Sequence, residues 1–236
     1  TPRYRTWDGS SWSSELSAQD VGAQINWVVT RAAPAKNEYA MGTLSTDGDV
    51  NVQIYSGGAW DDLVEITTTV SNIDARGFDI AYETNSENIM AVACDGDADP
   101  TYRVWNGTSW GTAGSVNLSS TNNCEWIRLA SDPTSNEIIL LSTDSTGSQY
   151  EAQVWNGTSW GNSTTLGSMS ENPHEGMDVI YEESGNQAIV VTSNGNAPQI
   201  AWNTWNGTTW GTAASQSVGD DMEWGRLARD DGSDEV

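Results

Sequence analysis

The stretch that decides the fold is Trp105-Asn106-Gly107-Thr108-Ser109-Trp110, a six-residue motif that recurs along the chain. Asn-Gly between apolar and β-forming residues is the strongest short hairpin signal, because both central positions of the favoured turn need a positive φ. The motif therefore predicts two antiparallel strands joined by a tight turn. Its copies are 48, 50, 50 and 50 residues apart and begin at Trp7, Tyr55, Trp105, Trp155 and Trp205. A fixed period of this size indicates a propeller, a solenoid or an array.

Each repeat contains two further candidate strands. In the third repeat these are residues 125–130 and 137–142, which are separated by a polar turn. The matching runs 89–93 and 188–191 are continuously apolar. A short continuous apolar run is typical of a strand that is covered on both faces, as in a propeller blade between two neighbours. Each repeat is therefore predicted to be a four-stranded antiparallel blade of about fifty residues.

The predicted fold class is an all-β, five-bladed β-propeller that forms a single domain over residues 1–236. Residues 4–12 supply the outer half of a blade, and the chain from Glu223 onward supplies an inner half. Joining the two halves would close the ring and remove exposed strand edges.

The blades also alternate in type, with a true period near one hundred residues. The inner strand opens with tryptophan in one type and with another apolar residue in the second type; these residues are Trp27, Trp126 and Trp224 in the first type, and Phe78 and Met177 in the second. Closing the ring would then join an inner half-blade of the first type to an outer half-blade of the second type. The alternative is that the chain is a piece of a longer array.

Composition narrows the range of partners. There are 33 acidic and 9 basic residues, giving a formal net charge of −24. Such a surface repels phosphate backbones and anionic lipids, so we expect no nucleic-acid partner. No apolar run is long enough to cross a bilayer, and the first residues do not resemble a signal peptide. Few cysteines and one lysine, with many small polar residues, are typical of a secreted or cell-surface protein.

The blade length and the tryptophan-rich hairpin resemble the short-blade propeller lectins, of which the five-bladed tachylectin-2 type is similar in size. The Asn/Asp-Gly-x-Ser/Thr-Trp core also resembles the Asp-box hairpin of sialidases, although it lacks the spacer between the acidic residue and glycine. The whole chain is similar to repeats of large secreted prokaryotic surface proteins. These resemblances imply a binding or adhesive role; fold alone does not carry function.

The sequence offers little for catalysis. His174 is the only histidine, and no repeat preserves it. The pairs Tyr82-Glu83 and Tyr181-Glu182 are comparable to a sialidase nucleophile, but they occur twice, whereas an active site is normally unique. Asp79 and Asp178 alternate with arginines at nearly equivalent positions, Arg128 and Arg226, which predicts a central channel whose charges neutralise one another. We therefore expect a protein that is not an enzyme.

Aromatic residues are the best ligand candidates, because sugar rings stack on exposed aromatic faces. Tyr4, Tyr102 and Trp202 occur in one blade type only, and this selective placement favours a role in ligand binding. The motif residues Trp110, Trp160 and Trp210 are also candidates, but structural packing is the competing explanation for them. A loop with carboxylates at alternate positions, Asp95, Asp97 and Asp99, is a candidate Ca²⁺ site, since Ca²⁺ prefers oxygen ligands. No cofactor is required otherwise.

Cys94 and Cys124 fall at the end of one strand and the start of the next blade, so a bridge between blades is possible, but the sequence does not decide whether it forms.

The leading hypothesis is a secreted or cell-surface binding module, without enzymatic activity, whose partner is a glycan or surface polymer. The first alternative is a purely structural segment of a large adhesin or surface-layer protein. The second alternative is a sialidase-like glycosidase with one asymmetric acidic cleft.

Overall fold

The computed structural model describes residues 1–146, 149–166, 175–194, 199–220, 222–230 and 232–236. These residues form eighteen strands and no helix, and therefore no helix that is long and apolar enough to span a membrane. Four four-stranded antiparallel sheets and one two-stranded sheet follow one another along the chain. The all-β class and the four-stranded blade are as expected from the repeat.

The strands of each sheet pair in chain order. The N-terminal sheet contains β1 (Arg3–Tyr4) and β2 (Leu16–Ser17). Blade 1 contains β3 (Ile25–Ala32), β4 (Tyr39–Ser45), β5 (Val50–Ser56) and β6 (Ala59–Thr67). Blade 2 contains β7 (Phe78–Tyr82), β8 (Ile89–Ala93), β9 (Thr101–Trp105) and β10 (Gly114–Ser115). Blade 3 contains β11 (Cys124–Ser131), β12 (Ile138–Asp144), β13 (Tyr150–Trp155) and β14 (Trp160–Leu166). Blade 4 contains β15 (Met177–Tyr181), β16 (Ala188–Asn194), β17 (Gln199–Trp205) and β18 (Ala214–Ser217).

The second strands of the blades carry the core. Every residue of β8 and of β12 is buried, because each of these strands lies inside a sheet that has a neighbouring sheet on both faces. Full burial of one such aliphatic side chain contributes about 1.5–3 kcal/mol to the free energy of folding. The first strands of successive blades contact one another, β3 with β7, β7 with β11 and β11 with β15. They are therefore the inner strands of a curved stack of blades.

The turn of the hairpin differs from the expectation. Trp105 pairs with Trp110, and the Asn106 amide donates to the Ser109 carbonyl at 3.2 Å, so the central turn positions are Gly107 and Thr108. Only Gly107 has a positive φ, of 90°. The Asn106 side-chain oxygen instead accepts hydrogen bonds from the backbone amides of Thr108 and Ser109. In this arrangement the side chain takes the part of a backbone carbonyl in the turn.

The C-terminal segment, described over residues 222–230 and 232–236, lies against blade 4 in the place of another first strand. The Leu227 amide donates to Asp178 Oδ2 at 2.8 Å, just as the Leu129 amide donates to Asp79 at 3.0 Å. The Asp230 amide donates to the Glu235 carbonyl, which reproduces the turn that follows each inner strand. No strand is assigned in the described part of this segment.

The N-terminal sheet has two strands, whereas each of the four blades has four. The fifth blade that the sequence predicts, joined from both termini, is not formed by the strand pairings of the described residues, because neither half supplies the second strand that would connect them.

A disulfide joins blades 2 and 3, which the sequence had left open. Cys94 follows β8, Cys124 begins β11, and their sulfurs are bonded at 2.02 Å with the Cα atoms 5.2 Å apart. Both side chains are buried. The bridge fixes the inner ends of two adjacent blades against each other.

Candidate functional site

An aromatic cleft lies between the N-terminal sheet and blade 1. Its cavity volume is about 400 Å³, and its lining residues come from both elements: Tyr4, Arg5, Thr6, Trp7, Thr30, Tyr39, Tyr55 and Trp60. We call this the open interface. A cleft of a few hundred Å³, mostly aromatic with a small number of polar groups, is typical of small-molecule sites.

Three aromatic rings form the floor of the open interface. The Tyr4 ring meets the Tyr55 ring edge-on, with centroids 5.9 Å apart, and meets the Trp60 ring at 6.0 Å. Tyr55 and Trp60 pack at 5.3 Å because they stand opposite each other on the hairpin of β5 and β6. Burial, and then the neighbouring Tyr55, raise the pKa of the Tyr4 phenol, so its hydroxyl keeps its proton and can donate a hydrogen bond.

The same ring arrangement recurs between blades 2 and 3, which we call the closed interface. Tyr102 lies 5.7 Å from Trp155 and 6.1 Å from Trp160, with ring angles similar to those around Tyr4. Here the space beside the rings is filled by the apolar side chains of Ala81, Met90, Leu129 and Ile138, all part of one buried cluster. The closed interface is therefore core.

Two differences keep the open interface accessible. The N-terminal sheet has no strands that correspond to β7 and β8, which supply Ala81 and Met90 at the closed interface. In addition, blade 1 places hydroxyl-bearing residues at the positions that correspond to Leu129, Ile138 and Trp155; these are Thr30, Tyr39 and Tyr55. Tyr39 is 43% exposed, whereas Ile138 is 0% exposed.

The predicted ligand residues therefore divide into groups. Tyr4 lines the open cleft, whereas Tyr102 is packed in the closed interface. Trp202 is half-buried on β17 of blade 4. The structure does not bring these three together. Sequence reasoning missed Tyr39 and Tyr55, although the replacement of the first motif tryptophan by Tyr55 was a usable signal.

The second tryptophans of the motif are structural contacts. Trp110 donates its indole N–H to the Asp62 carbonyl at 2.8 Å, and Trp210 donates to the Asn162 carbonyl at 2.6 Å. Both acceptors belong to the preceding blade. Trp160 packs against Trp155 at 5.5 Å. These half-buried rings tie adjacent blades together.

Two carboxylates of the acidic loop, the predicted Ca²⁺ site, are engaged in hydrogen bonds with the backbone. The Asp99 carboxylate accepts the Leu118 amide at 2.8 Å, and Asp95 accepts the Asp97 amide at 3.3 Å. Burial is the main cause of a raised Asp95 pKa, to which Asp97 and Asp99 add. Over the residues that the structure describes, no group of three or more ligating side chains is arranged around a common point. The Asp95 and Asp99 carboxylates accept hydrogen bonds from backbone amides instead.

An inner cluster of charges lies between the first strands. Its arginines are Arg31, Arg76, Arg128 and Arg226, and its carboxylates are Asp79, Glu175 and Asp178. The expected neutralisation is thus observed, but its centre is Glu175, which sequence reasoning missed. Glu175 is 1% exposed and contacts Arg76 at 2.5 Å, Arg128 at 2.8 Å and Arg226 at 3.0 Å. Burial alone would lower the pKa of Arg76, but Asp79 and Glu175 raise it.

The two tyrosine–glutamate pairs are not arranged as nucleophiles. Tyr82 donates its hydroxyl to Glu38 at 3.2 Å, and Tyr181 donates to Glu137 at 2.8 Å. Burial first, and then these carboxylates, raise the pKa of both phenols well above the usual value, which disfavours the phenolate. His174 lies outside the described residues.

Comparison with known proteins concerns the fold. No protein-family model matches the chain, and no curated protein sequence matches it. The SapL1 lectin in complex with alpha methyl fucoside has a similar structure, with a TM-score of 0.52, 14% identity, and 85% of this chain and 65% of that chain covered. A mutant of Aleuria aurantia lectin with alpha-methyl-L-fucoside gives a TM-score of 0.50, 15% identity, and coverage of 81% and 64%.

A third similar structure is AofleA from Arthrobotrys oligospora, with a TM-score of 0.50, 10% identity, and coverage of 82% of this chain and 57% of that chain. The chain spans less than two thirds of the length of each of these proteins. The Aleuria aurantia lectin is a six-bladed β-propeller that binds fucose. At such low identity the likeness concerns the fold: the stacked four-stranded sheets of this chain are β-propeller blades.

Proposed function

We propose that the protein is a carbohydrate-binding β-propeller module without enzymatic activity, and that it binds a neutral glycan at the open interface. One observation carries the proposal: the positions that are Leu129, Ile138 and Trp155 in the closed interface are Thr30, Tyr39 and Tyr55 in the open one. Hydroxyl groups at apolar core positions are costly to bury without partners, so this surface suits a polar ligand.

The chemistry of the cleft fits a sugar. A sugar ring has apolar C–H faces that pack on aromatic rings and hydroxyls that exchange hydrogen bonds with polar side chains. Tyr4 and Trp60 supply ring faces and edges, and Arg5 adds donors at the rim of the cleft. The fucosides and glycans bound by the structurally similar lectins make a fucosylated or related neutral glycan the first class to examine.

The test is a glycan array followed by isothermal titration with the best binder, with and without Ca²⁺. The variant Tyr39→Ala removes an exposed wall of the cleft, and we expect affinity to fall at least tenfold. The matched control is Val28→Ser, since Val28 is 53% exposed on the same blade and does not line the cleft. Binding that is absent throughout, or equal in the two variants, would overturn the proposal.

A second candidate function is a structural segment that stacks further blades, in a five-bladed ring or in a longer array. It is favoured by Trp7 and Trp12, which are 52% and 63% exposed. The counterparts of Trp7 are Trp105, Trp155 and Trp205, which are 3%, 5% and 1% exposed. The counterparts of Trp12 are half-buried. Concentration-dependent association in sedimentation, abolished by Trp12→Ser, would support an array of copies. A monomer at every concentration would exclude it.

Secretion or display at the cell surface is part of the proposal. A buried disulfide favours an oxidising compartment. Fractionation of the native host, with detection of the oxidised bridge, is the corresponding test.

A further inference from the structure

A second cavity, of about 380 Å³, lies at the turn end of the inner strands. Its walls come from blades 1, 2 and 3 and from the C-terminal segment, and within the described part of the chain the charged residues that line it are Arg31 and Arg229. The remaining wall is largely apolar, including Ala81, Leu129 and Pro133. We call this the arginine cavity. It shares no lining residue with the open interface.

The sign of the charge in this cavity is opposite to that of the protein. The chain has 33 acidic and 9 basic residues, yet the described residues that line the cavity include two cations and no carboxylate. The nearest aspartate of the blade 3 turn, Asp132, is buried and accepts bonds from its own loop, from Thr134 and Ser135, and from Asn186. The Asp132 carboxylate is therefore engaged by its own loop and by Asn186.

Each of the four arginines of the inner cluster has a carboxylate partner, and one of these arginines also lines the cavity. Arg31 belongs to both features: it lines the cavity and bonds Asp79 at 2.9 Å through Nη2. Arg128 Nη2 is buried with no hydrogen-bond partner among the described atoms. Burial, and then Arg76, lower the pKa of Arg128 to about 10, whereas Glu175, Asp178 and Asp79 act in the opposite direction.

We propose that the arginine cavity binds a small ligand through an oxyanion group, a carboxylate or a sulfate. The planar guanidinium fork matches two oxygens of such a group, and charge-assisted hydrogen bonds of this kind are strong. The apolar walls lower the local dielectric and so strengthen the attraction. The volume admits a ligand of monosaccharide size, which makes an acidic sugar or a free inorganic anion the two sources of this chemistry.

The experiment uses glucuronate and sulfate as probes at low ionic strength, with glucose as the neutral control, and records amide chemical shifts in the intact chain. Low salt matters because Arg229 is exposed and its charge is screened. We expect glucuronate to shift resonances of Ala81 and Leu129, and glucose to leave them unchanged. A response to sulfate but not to glucuronate assigns the site to inorganic anions.

The decisive variant is Arg229→Gln, which removes one cavity cation that has no hydrogen bond or ion pair recorded in the described structure, so folding is preserved. We expect at least a fivefold loss of glucuronate affinity. Arg3→Gln is the matched control, because it makes the same change of net charge in the distant N-terminal sheet. Equal effects of the two variants, or equal responses to glucuronate and glucose, would overturn the proposal. Glycan binding at the open interface is a separate proposal, and the variant Tyr39→Ala tests it independently of the arginine cavity.

Discussion

The closed interface between blades 2 and 3 and the open interface between the N-terminal sheet and blade 1 share one frame of three aromatic rings. At the closed interface, Met90 and Leu129 fill the space beside the rings and a disulfide locks the blades. At the open interface, Thr30 and Tyr39 leave a cleft. The comparison teaches that the aromatic frame positions a blade against its neighbour, whereas the residues around the frame decide whether the space is core or binding surface.

The largest expected effect on stability is at the first residue of the hairpin motif, which is Trp155 at the closed interface and Tyr55 at the open interface. Trp155 is 5% exposed and donates its indole N–H to Glu83 Oε1 at 2.6 Å. We expect Trp155→Ala to reduce the free energy of unfolding by about 3–5 kcal/mol, as for other buried aromatics. Tyr55→Ala, at the half-exposed counterpart, should cost about 1–2 kcal/mol. Urea unfolding followed by circular dichroism measures both, and equal losses would erase the distinction between the interfaces.

The disulfide gives the next largest effect. Replacing both Cys94 and Cys124 by alanine should lower the free energy of unfolding by about 2–4 kcal/mol, since the bridge closes a loop with a sequence separation of 30. Wild-type protein treated with a reductant is the control and should unfold at a similar denaturant concentration. Glycan affinity at the open interface should be unchanged. A fall in affinity as large as that of Tyr39→Ala would show that the two interfaces are coupled.

The smallest effect on stability comes from giving the open interface the residues of the closed one. Thr30→Leu combined with Tyr39→Ile copies Leu129 and Ile138, and we expect a change below about 1 kcal/mol, since both sites are exposed. Glycan affinity should nevertheless fall at least tenfold, because the hydroxyls and one aromatic wall are lost. Titration calorimetry and thermal unfolding of the same preparation provide the two readings. Retained affinity would place the glycan elsewhere.

Much of the blade could be predicted from sequence. The apolar run 89–93 coincides with β8, and the run 137–142 overlaps β12, because continuous apolar residues are stable only in a strand with sheets on both sides. The turn was less predictable. The Asn106 side chain accepts hydrogen bonds from two backbone amides, and only Gly107 has a positive φ. Hairpin rules describe backbone preferences and do not anticipate which side chain will replace a backbone partner.

The candidate site was only partly accessible to sequence reasoning. Tyr4 was selected because of its uneven placement, but the walls of its cleft come from β3, β4 and β5, and only tertiary stacking shows that Thr30 and Tyr39 face the same space. Glu175 illustrates the same limit at the inner cluster, where three arginines from different blades converge on one carboxylate. Periodicity assigns a position within a blade, whereas contacts between blades depend on how the sheets pack.

The bridge between Cys94 and Cys124 has a mechanical consequence for a protein that is held at both ends. Tension applied to the termini would pass directly from the second strand of blade 2 to the first strand of blade 3, and the chain between the cysteines would carry no load. With a sequence separation of 30 and about 3.4 Å per extended residue, roughly 100 Å of contour length would be withheld. Force spectroscopy would show that length appear only after reduction, so the redox state of the surroundings would set how far the molecule can stretch.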